Sequence, residues 1–282
     1  MEPSREVRDV AMPAGFSLER TCAPAFWIAG RWPNEDWREG AFWWVGWEDG
    51  SVAWRRVSAI PGGVRVAGSG DPARFAEWAM RVLRPRSPDH DWSDPVVAAL
   101  DRSHPGMGLL NSGDLVDGAV ASIVGQSISL ASAGTALTRL AAAFNAPIRL
   151  AGREFHALPN ARQLSESRAE DLLQSGVTRV RAEALVAVGA WFREREAAEP
   201  DVAAMSAIRG IGPWTVASTR LWGAGDPAVY PRGDAALLRA AKRAYGRPDL
   251  SHPELDALAR GWDDRPAVAA RLLWLDLFGH PA

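Results

Sequence analysis

Residues 205–234, MSAIRGIGPWTVASTRLWGAGDPAVYPRGD, hold a glycine-rich hairpin and end on a carboxylate, Asp234, at a spacing that could do chemistry together. In the hairpin RGIGP (209–213), Gly210 and Gly212 permit positive φ and close backbone approach. Pro213 stands where a helix takes its first-turn proline, so the backbone N–H groups of the hairpin and of the next helix can face an anion such as a phosphate. Asp234 follows Trp214 by twenty residues and is the carboxylate candidate to act beside that anion site. A phosphate grip beside a carboxylate is the equipment for work on DNA.

The elements around the hairpin must hold it in place. Asp114 is a good N-cap, and 114–144 (DLVDGAVASIVGQSISLASAGTALTRLAAAF) supports two helices, or one long helix broken around 125–129. The polar GQSIS interruption reads equally as a plain helix–helix turn or as a loop that enters DNA and fills the gap left by an extruded base. A short helix pair is expected over 159–173, then a C-cap glycine and a new N-cap in SGVT (175–178). The helix predicted over 179–196 places Val180, Ala184, Leu185, Val188 and Trp191 on one apolar face, and further helices are expected over 235–244, 253–262 and 266–278. Upstream, 16–68 is rich in Trp, Phe and Val and carries the hairpin signal EDGS (48–51), which predicts an antiparallel sheet. Residues 72–83 predict a helix packed on that sheet, and 1–15, without periodicity, read as a frayed tail. The expected class is α+β: an N-terminal domain over 1–90, a linker with a short helix near 95–101 over 91–113, and an all-helical domain over 114–282.

Composition narrows the chemistry. The chain has 282 residues, 47% of them hydrophobic, which suffices for a sizeable core. Its single cysteine, Cys22, excludes an internal disulfide framework and any four-cysteine zinc or iron–sulfur site. No signal-peptide pattern or twenty-residue apolar run is present, so a soluble cytoplasmic protein without membrane contact is expected. The net charge of −2 gives no global attraction to nucleic acid, but within 205–248 seven basic residues, Arg209 among them, stand against only Asp226 and Asp234. Nine of the fourteen tryptophans precede residue 93, and the alternation of Trp43, Trp44 and Trp47 reads as sheet core rather than as a base-stacking platform.

IRGIGPWTVAS followed by YPRGD at this distance resembles the motif of the helix–hairpin–helix (HhH-GPD) DNA glycosylases, and above all the bacterial 3-methyladenine DNA glycosylase II type. The resemblance runs from about residue 114 to the C-terminus and includes VGQSIS and RLLWLDL. It implies that Gly210, Ile211, Gly212 and Thr215 grip a DNA phosphate, with Arg209 beside them, and that a monovalent cation, sodium or potassium, rests on hairpin carbonyls near Ile208 and Ile211. No other cofactor is implied. Asp234 becomes the catalytic residue at the mouth of a base pocket, and Gln126, Ser127, Ile128, Trp214, Ser218, Trp222 and Arg265 are the pocket or wedge candidates. Three of these depart from the family pattern. Ser218 stands where a tyrosine is expected, Arg265 where a tryptophan is expected, and Ser127 where a bulky apolar wedge is expected, leaving Gln126 or Ile128 to fill the gap. Trp222 and Trp262 could restore an aromatic wall or could be core.

Members that also cut the strand carry a lysine at the position of Trp214, and Lys242 is the only lysine of this chain. The implied activity is therefore that of a monofunctional, monomeric glycosylase of a bacterial nucleoid. It would act on duplex DNA holding alkylated bases such as 3-methyladenine or 7-methylguanine. A glycosylase for hypoxanthine or uracil, and a hairpin protein that binds DNA without catalysis, are the alternatives.

Overall fold

The computed structural model describes residues 6–28, 30–86, 90–195 and 200–281. The aromatic N-terminal stretch supplies β1 (Glu6–Ala11), α1 (Leu18–Thr21), α2 (Ala23–Ile28), β2 (Glu35–Arg38), β3 (Ala41–Glu48), β4 (Ser51–Ile60) and β5 (Gly63–Gly68). The five strands form one antiparallel sheet in the order β1-β5-β4-β3-β2. The turn between β3 and β4 is the one expected: Asp49 and Gly50 both take positive φ, +49° and +72°, the pair of left-handed residues that matches the twist of the strands it joins.

The segment expected to fray instead forms β1, paired with β5 from Glu6↔Gly68 to Ala11↔Gly63. Only Val10 of its six residues is buried, so the strand leaves no apolar alternation in the sequence; its register is a property of β5. After a 3₁₀ turn capped by Asp71, α3 (Phe75–Leu83) lays Phe75, Trp78, Val82 and Leu83 on the sheet face formed by Phe42, Trp44, Val57 and Val66. The opposite face, with Trp43, Val45 and Trp54, is covered by Leu150, Phe155 and Ala157. Burial on both faces explains why Trp43 and Trp44 are 7% and 2% exposed. Trp47 donates its ring N–H to the Leu158 carbonyl at 2.8 Å.

The remainder is helical with one exception. It comprises α4 (Pro95–Ser103), α5 (Leu115–Gly125), α6 (Leu130–Phe144), α7 (Ala161–Ser165), α8 (Ala169–Leu172), α9 (Arg179–Arg193), α10 (Pro213–Ala224), α11 (Ala235–Ala244), α12 (His252–Leu258) and α13 (Pro266–Phe278). The exception is a hairpin of β6 (Ile148–Leu150) and β7 (Arg153–Phe155) inside the region expected to be all-helical. Its turn is Ala151-Gly152, both at positive φ, and three-residue strands are too short to show a period of two. The predicted helix over 179–196 ends at Arg193, and residue 196 lies outside the described residues. Val180, expected in its core face, is 41% exposed because it is in the first turn of α9, beside the 209–213 hairpin.

Two helical cores meet along α10. One gathers α5, α6, α7 and α9, the other α11, α13 and the far side of α10. Close packing of α5 on α10 depends on two glycines: a Cβ on Gly118 would lie 2.6 Å from the Gly223 nitrogen, and one on Gly223 would lie 2.8 Å from the Leu115 Cα. Among the described residues, no helix is long and apolar enough to cross a membrane.

Candidate active site

One left-handed glycine shapes the hairpin. Gly210 sits at φ +88°, where a side chain is strained, and the turn closes as the Ile211 N–H donates to the Ile208 carbonyl at 3.0 Å. Gly212 acts differently, since at φ −101° it is the N-cap of α10 and its carbonyl accepts the Val216 N–H at 3.1 Å. With Pro213 at the first helical position, the N–H groups of Trp214 and Thr215 have no acceptor inside the helix and point outward at its positive end. Ile211 anchors this assembly in the α5–α9 core at 6% exposure.

Asp234 comes to the hairpin from the next element. It is the N-cap of α11, where Oδ1 accepts the Leu237 N–H at 2.7 Å. Its other oxygen, Oδ2, accepts the ring N–H of Trp214 at 3.0 Å. Both oxygens are thus oriented, one by a helix N-terminus that favours negative charge and one by a residue of the first turn of α10. The Trp214–Asp234 bond thus joins the start of α10 to the start of α11.

No family model matches the chain. A Mycobacterium tuberculosis protein named "Probable bifunctional transcriptional activator/DNA repair enzyme AlkA" is 29% identical over 201 residues, or 67% of this chain. The chain spans 38% of that relative's length. Among solved structures, the 3-methyladenine DNA glycosylase from Archaeoglobus fulgidus superposes with a TM-score of 0.80 at 18% identity, covering 96% of this chain and 99% of that one. MBOgg1, solved in complex with a low-affinity DNA ligand, superposes at 0.74 and 18% identity, over 97% and 95% of the two chains. The chain shares the fold of these two solved structures.

The GQSIS turn is tied to the hairpin. Gln126 donates from Nε2 to the Gly210 carbonyl at 2.9 Å and to the Thr215 hydroxyl at 2.8 Å, while Arg181 bonds the Gln126 carbonyl. Gln126 is therefore a strut, and the Thr215 hydroxyl, in a residue 2% exposed, meets its partner inside the protein. Ser127 takes φ +53° at the tip of the turn, and Ile128 and Leu130 beyond it are 38% and 47% exposed. Leu130 had no mark in the sequence, where it reads as the first residue of an ordinary helix.

The remaining candidates separate around α10. Trp214, Ser218 and Trp222 form one stripe at four-residue intervals, so they lie about 6 Å apart along the helix axis. Ser218 is 1% exposed, and Trp222 stacks on Trp274 with ring centroids 5.7 Å apart. Arg265 is not in that stripe: it precedes α13 as its N-cap, 3.7 Å from Asp264, and its neighbour Pro266 borders a cleft of about 310 Å³ with Pro213, Ala217, Tyr230 and Arg232. Trp262 is fully buried and donates to the Tyr245 hydroxyl, which settles it as core.

The basic window is weaker in space than in sequence. Arg209, with an 81% exposed side chain, stands 3.5 Å from Glu183, Arg243 is 3.4 Å from Asp276, and Arg247 is paired with Glu254. Those acids lie outside the window or come from another element, so counting charges along the chain overstates the local field. Among the described residues, no three His, Cys, Asp or Glu side chains gather as a metal site.

Sequence reasoning missed three ionisable residues near the α10 stripe. Asp117 reads as a helix-start acid, Arg271 is embedded in the apolar run of α13, and Glu35 sits in a four-residue strand. Nothing in their spacing connects them.

Proposed function

We propose that the chain is a monofunctional DNA glycosylase that flips an alkylated base, of the 3-methyladenine or 7-methylguanine type, out of duplex DNA and hydrolyses its N-glycosidic bond. The observation that carries this reading is the Asp234 carboxylate bonded to Trp214 at the start of the hairpin helix. The names of the M. tuberculosis relative and of the A. fulgidus structure support it.

The chemistry needs little else. As the C1′–N bond breaks, its electron pair leaves with the base and positive charge builds on the sugar. A carboxylate fixed nearby stabilises that charge, and water adds to C1′ while its proton passes to the carboxylate or to solvent. An alkylated purine that carries a positive charge departs neutral, so no general acid on the base is required. Flipping requires roughly a few kcal/mol, less for a damaged pair, and the outward N–H groups of the hairpin hold the adjacent phosphate while it happens.

Strand cleavage is not part of the reading. Trp214 occupies the position from which a lysine would attack the sugar, and Lys242 lies in the last turn of α11, about 12 Å along the helix from Asp234. A monovalent ion on the hairpin would use the second lone pair of the Ile208 carbonyl, which already accepts one N–H, and the Ile211 carbonyl. It would brace the turn without entering the reaction. The enzyme acts as a monomer on duplex DNA in the bacterial cytoplasm.

Release of free bases from methylated duplex DNA, set beside uracil- and hypoxanthine-containing duplexes, tests the proposal. Wild type is expected to release methylated purines and Asp234→Asn is not. A wild type that binds DNA and releases nothing makes the chain a binding protein. Borohydride trapping of an enzyme–DNA adduct would overturn the monofunctional assignment.

A further inference from the structure

Behind Asp234, polar groups are buried without partners. Asp117 is 2% exposed and neither carboxylate oxygen has a hydrogen-bond partner among the described residues. It stands three residues after the N-cap Asp114, where an acid can reach back to the cap N–H, but the Ser112 hydroxyl accepts that N–H at 3.3 Å. Ser218, across the glycine contact between α5 and α10, is 1% exposed with an unpartnered hydroxyl. Arg271 is fully buried; Nη2 donates to the Leu110 carbonyl at 3.1 Å, but Nε and Nη1 have no partner among the described residues. Its guanidinium lies 4.3 Å over the ring of Trp222, two turns along α10 from Trp214. Glu35, from β2, is within electrostatic reach of both Arg271 and Asp117.

The charges do not balance. Two carboxyls, Glu35 and Asp117, face one guanidinium, Arg271. The other charged or titratable neighbours are spoken for: Asp36 pairs with Arg153 at 2.7 Å, Asp114 caps α5, and burial keeps the Cys22 thiol neutral. Burial drives the Asp117 carboxyl far up, with Asp114 and then Glu35 adding to it, and raises Glu35 to about 7 against the pull of Arg271. Two buried carboxyls against one guanidinium limit their charge by keeping a proton.

We propose that Glu35 and Asp117, braced by Arg271, form an acidic floor beneath Ser218 that selects a positively charged base by exchanging a proton for the charge of that base. This rests on the glycosylase reading and deepens it. Where an aromatic cage would hold a cationic purine by its ring faces, this chain has the small Ser218 in the stripe and carboxyls beyond it. A purine entering past Asp234 and Trp214 reaches Ser218 about 6 Å along α10. A cationic base allows the second carboxyl to ionise opposite it, and the displaced proton leaves to solvent. A neutral base gives that carboxyl no counter-charge, so the proton stays.

The experiment compares 7-methylguanine, cationic in DNA, with hypoxanthine, neutral, in otherwise identical duplexes. Base release by wild type, Glu35→Gln and Asp117→Asn gives a selectivity ratio in kcat/KM. Calorimetry in buffers of different ionisation enthalpy, on duplexes whose 2′-fluoro sugar blocks cleavage, counts protons released on binding. The expected result is a ratio reduced at least ten-fold in either variant, with about one proton released by wild type for the cationic base and none for the neutral one. An unchanged ratio in folded variants overturns the acidic floor. If both variants fail to fold, the wild-type proton count decides, and equal counts for the two bases overturn it. A wild type that releases neither base overturns the glycosylase reading instead.

Discussion

At the start of α10 the Asp234 carboxylate accepts a bond at each oxygen, from Leu237 and from Trp214. One to two turns further along, Ser218 of the same helix, Asp117 of α5 and Arg271 of α13 carry buried polar atoms with no partner among the described residues. The mouth is organised before any ligand arrives and the floor is not. In the proposed reaction, a carboxylate that stabilises charge on a sugar, whichever base is attached, gains from fixed geometry. Groups that must distinguish bases gain from being incomplete until the right base completes them.

The contrast can be broken in stages. Arg271→Met should have the largest effect, because it leaves Glu35 buried without its cation: a loss of about 3–5 kcal/mol of unfolding free energy in urea melts. A loss under about 1 kcal/mol would mean that the floor is already solvated. At the mouth, Asp234→Asn keeps an N-cap residue of equal quality, so the melting curve should hardly move while base release falls roughly 10²–10³-fold. A parallel loss of stability and activity would erase the distinction between the two regions.

Protonation offers a third test. The Glu35 carboxyl titrates at about 7 in the folded chain against an ordinary value of 4.5. The folded state therefore holds this proton more tightly, and the associated stability is complete below the ordinary value and lost as pH rises through about 7. Up to about 3 kcal/mol of pH-dependent stability should disappear in Glu35→Gln, read as a flatter stability-against-pH curve.

Smaller effects concern the hairpin. Gly210→Ala places a side chain at φ +88° and 3.1 Å from Val180, and should lose about 1–2 kcal/mol of stability together with duplex affinity. Trp214→Phe removes one bond to Asp234, an effect of about 1 kcal/mol, or roughly five-fold in turnover, with affinity for undamaged duplex unchanged.

Much of the mouth was legible in the chain. RGIGP and the aspartate twenty residues on carry their meaning locally, since a left-handed glycine, a first-turn proline and an N-cap acid act through neighbouring backbone. The EDGS turn, the Asp114 cap and the helix break at GQSIS were legible for the same reason. The β1 strand was not, because its burial comes from β5, and the β6–β7 hairpin was too short to show a period. The basic window misled because charges pair across space: Arg209 meets Glu183 from α9 and Arg243 meets Asp276 from α13.

By itself the sequence determined the local build of the proposed reacting end: a left-handed glycine and a first-turn proline in the hairpin, an N-cap aspartate twenty residues after Trp214, and no lysine in the hairpin helix. Tertiary structure alone decided what lies behind it. Glu35, Asp117 and Arg271 come from a strand and two helices 82 and 154 residues apart in sequence, and each looks ordinary in its own segment. Burial, which makes an unpaired charge costly, exists only once the sheet and the two helical cores have closed around them.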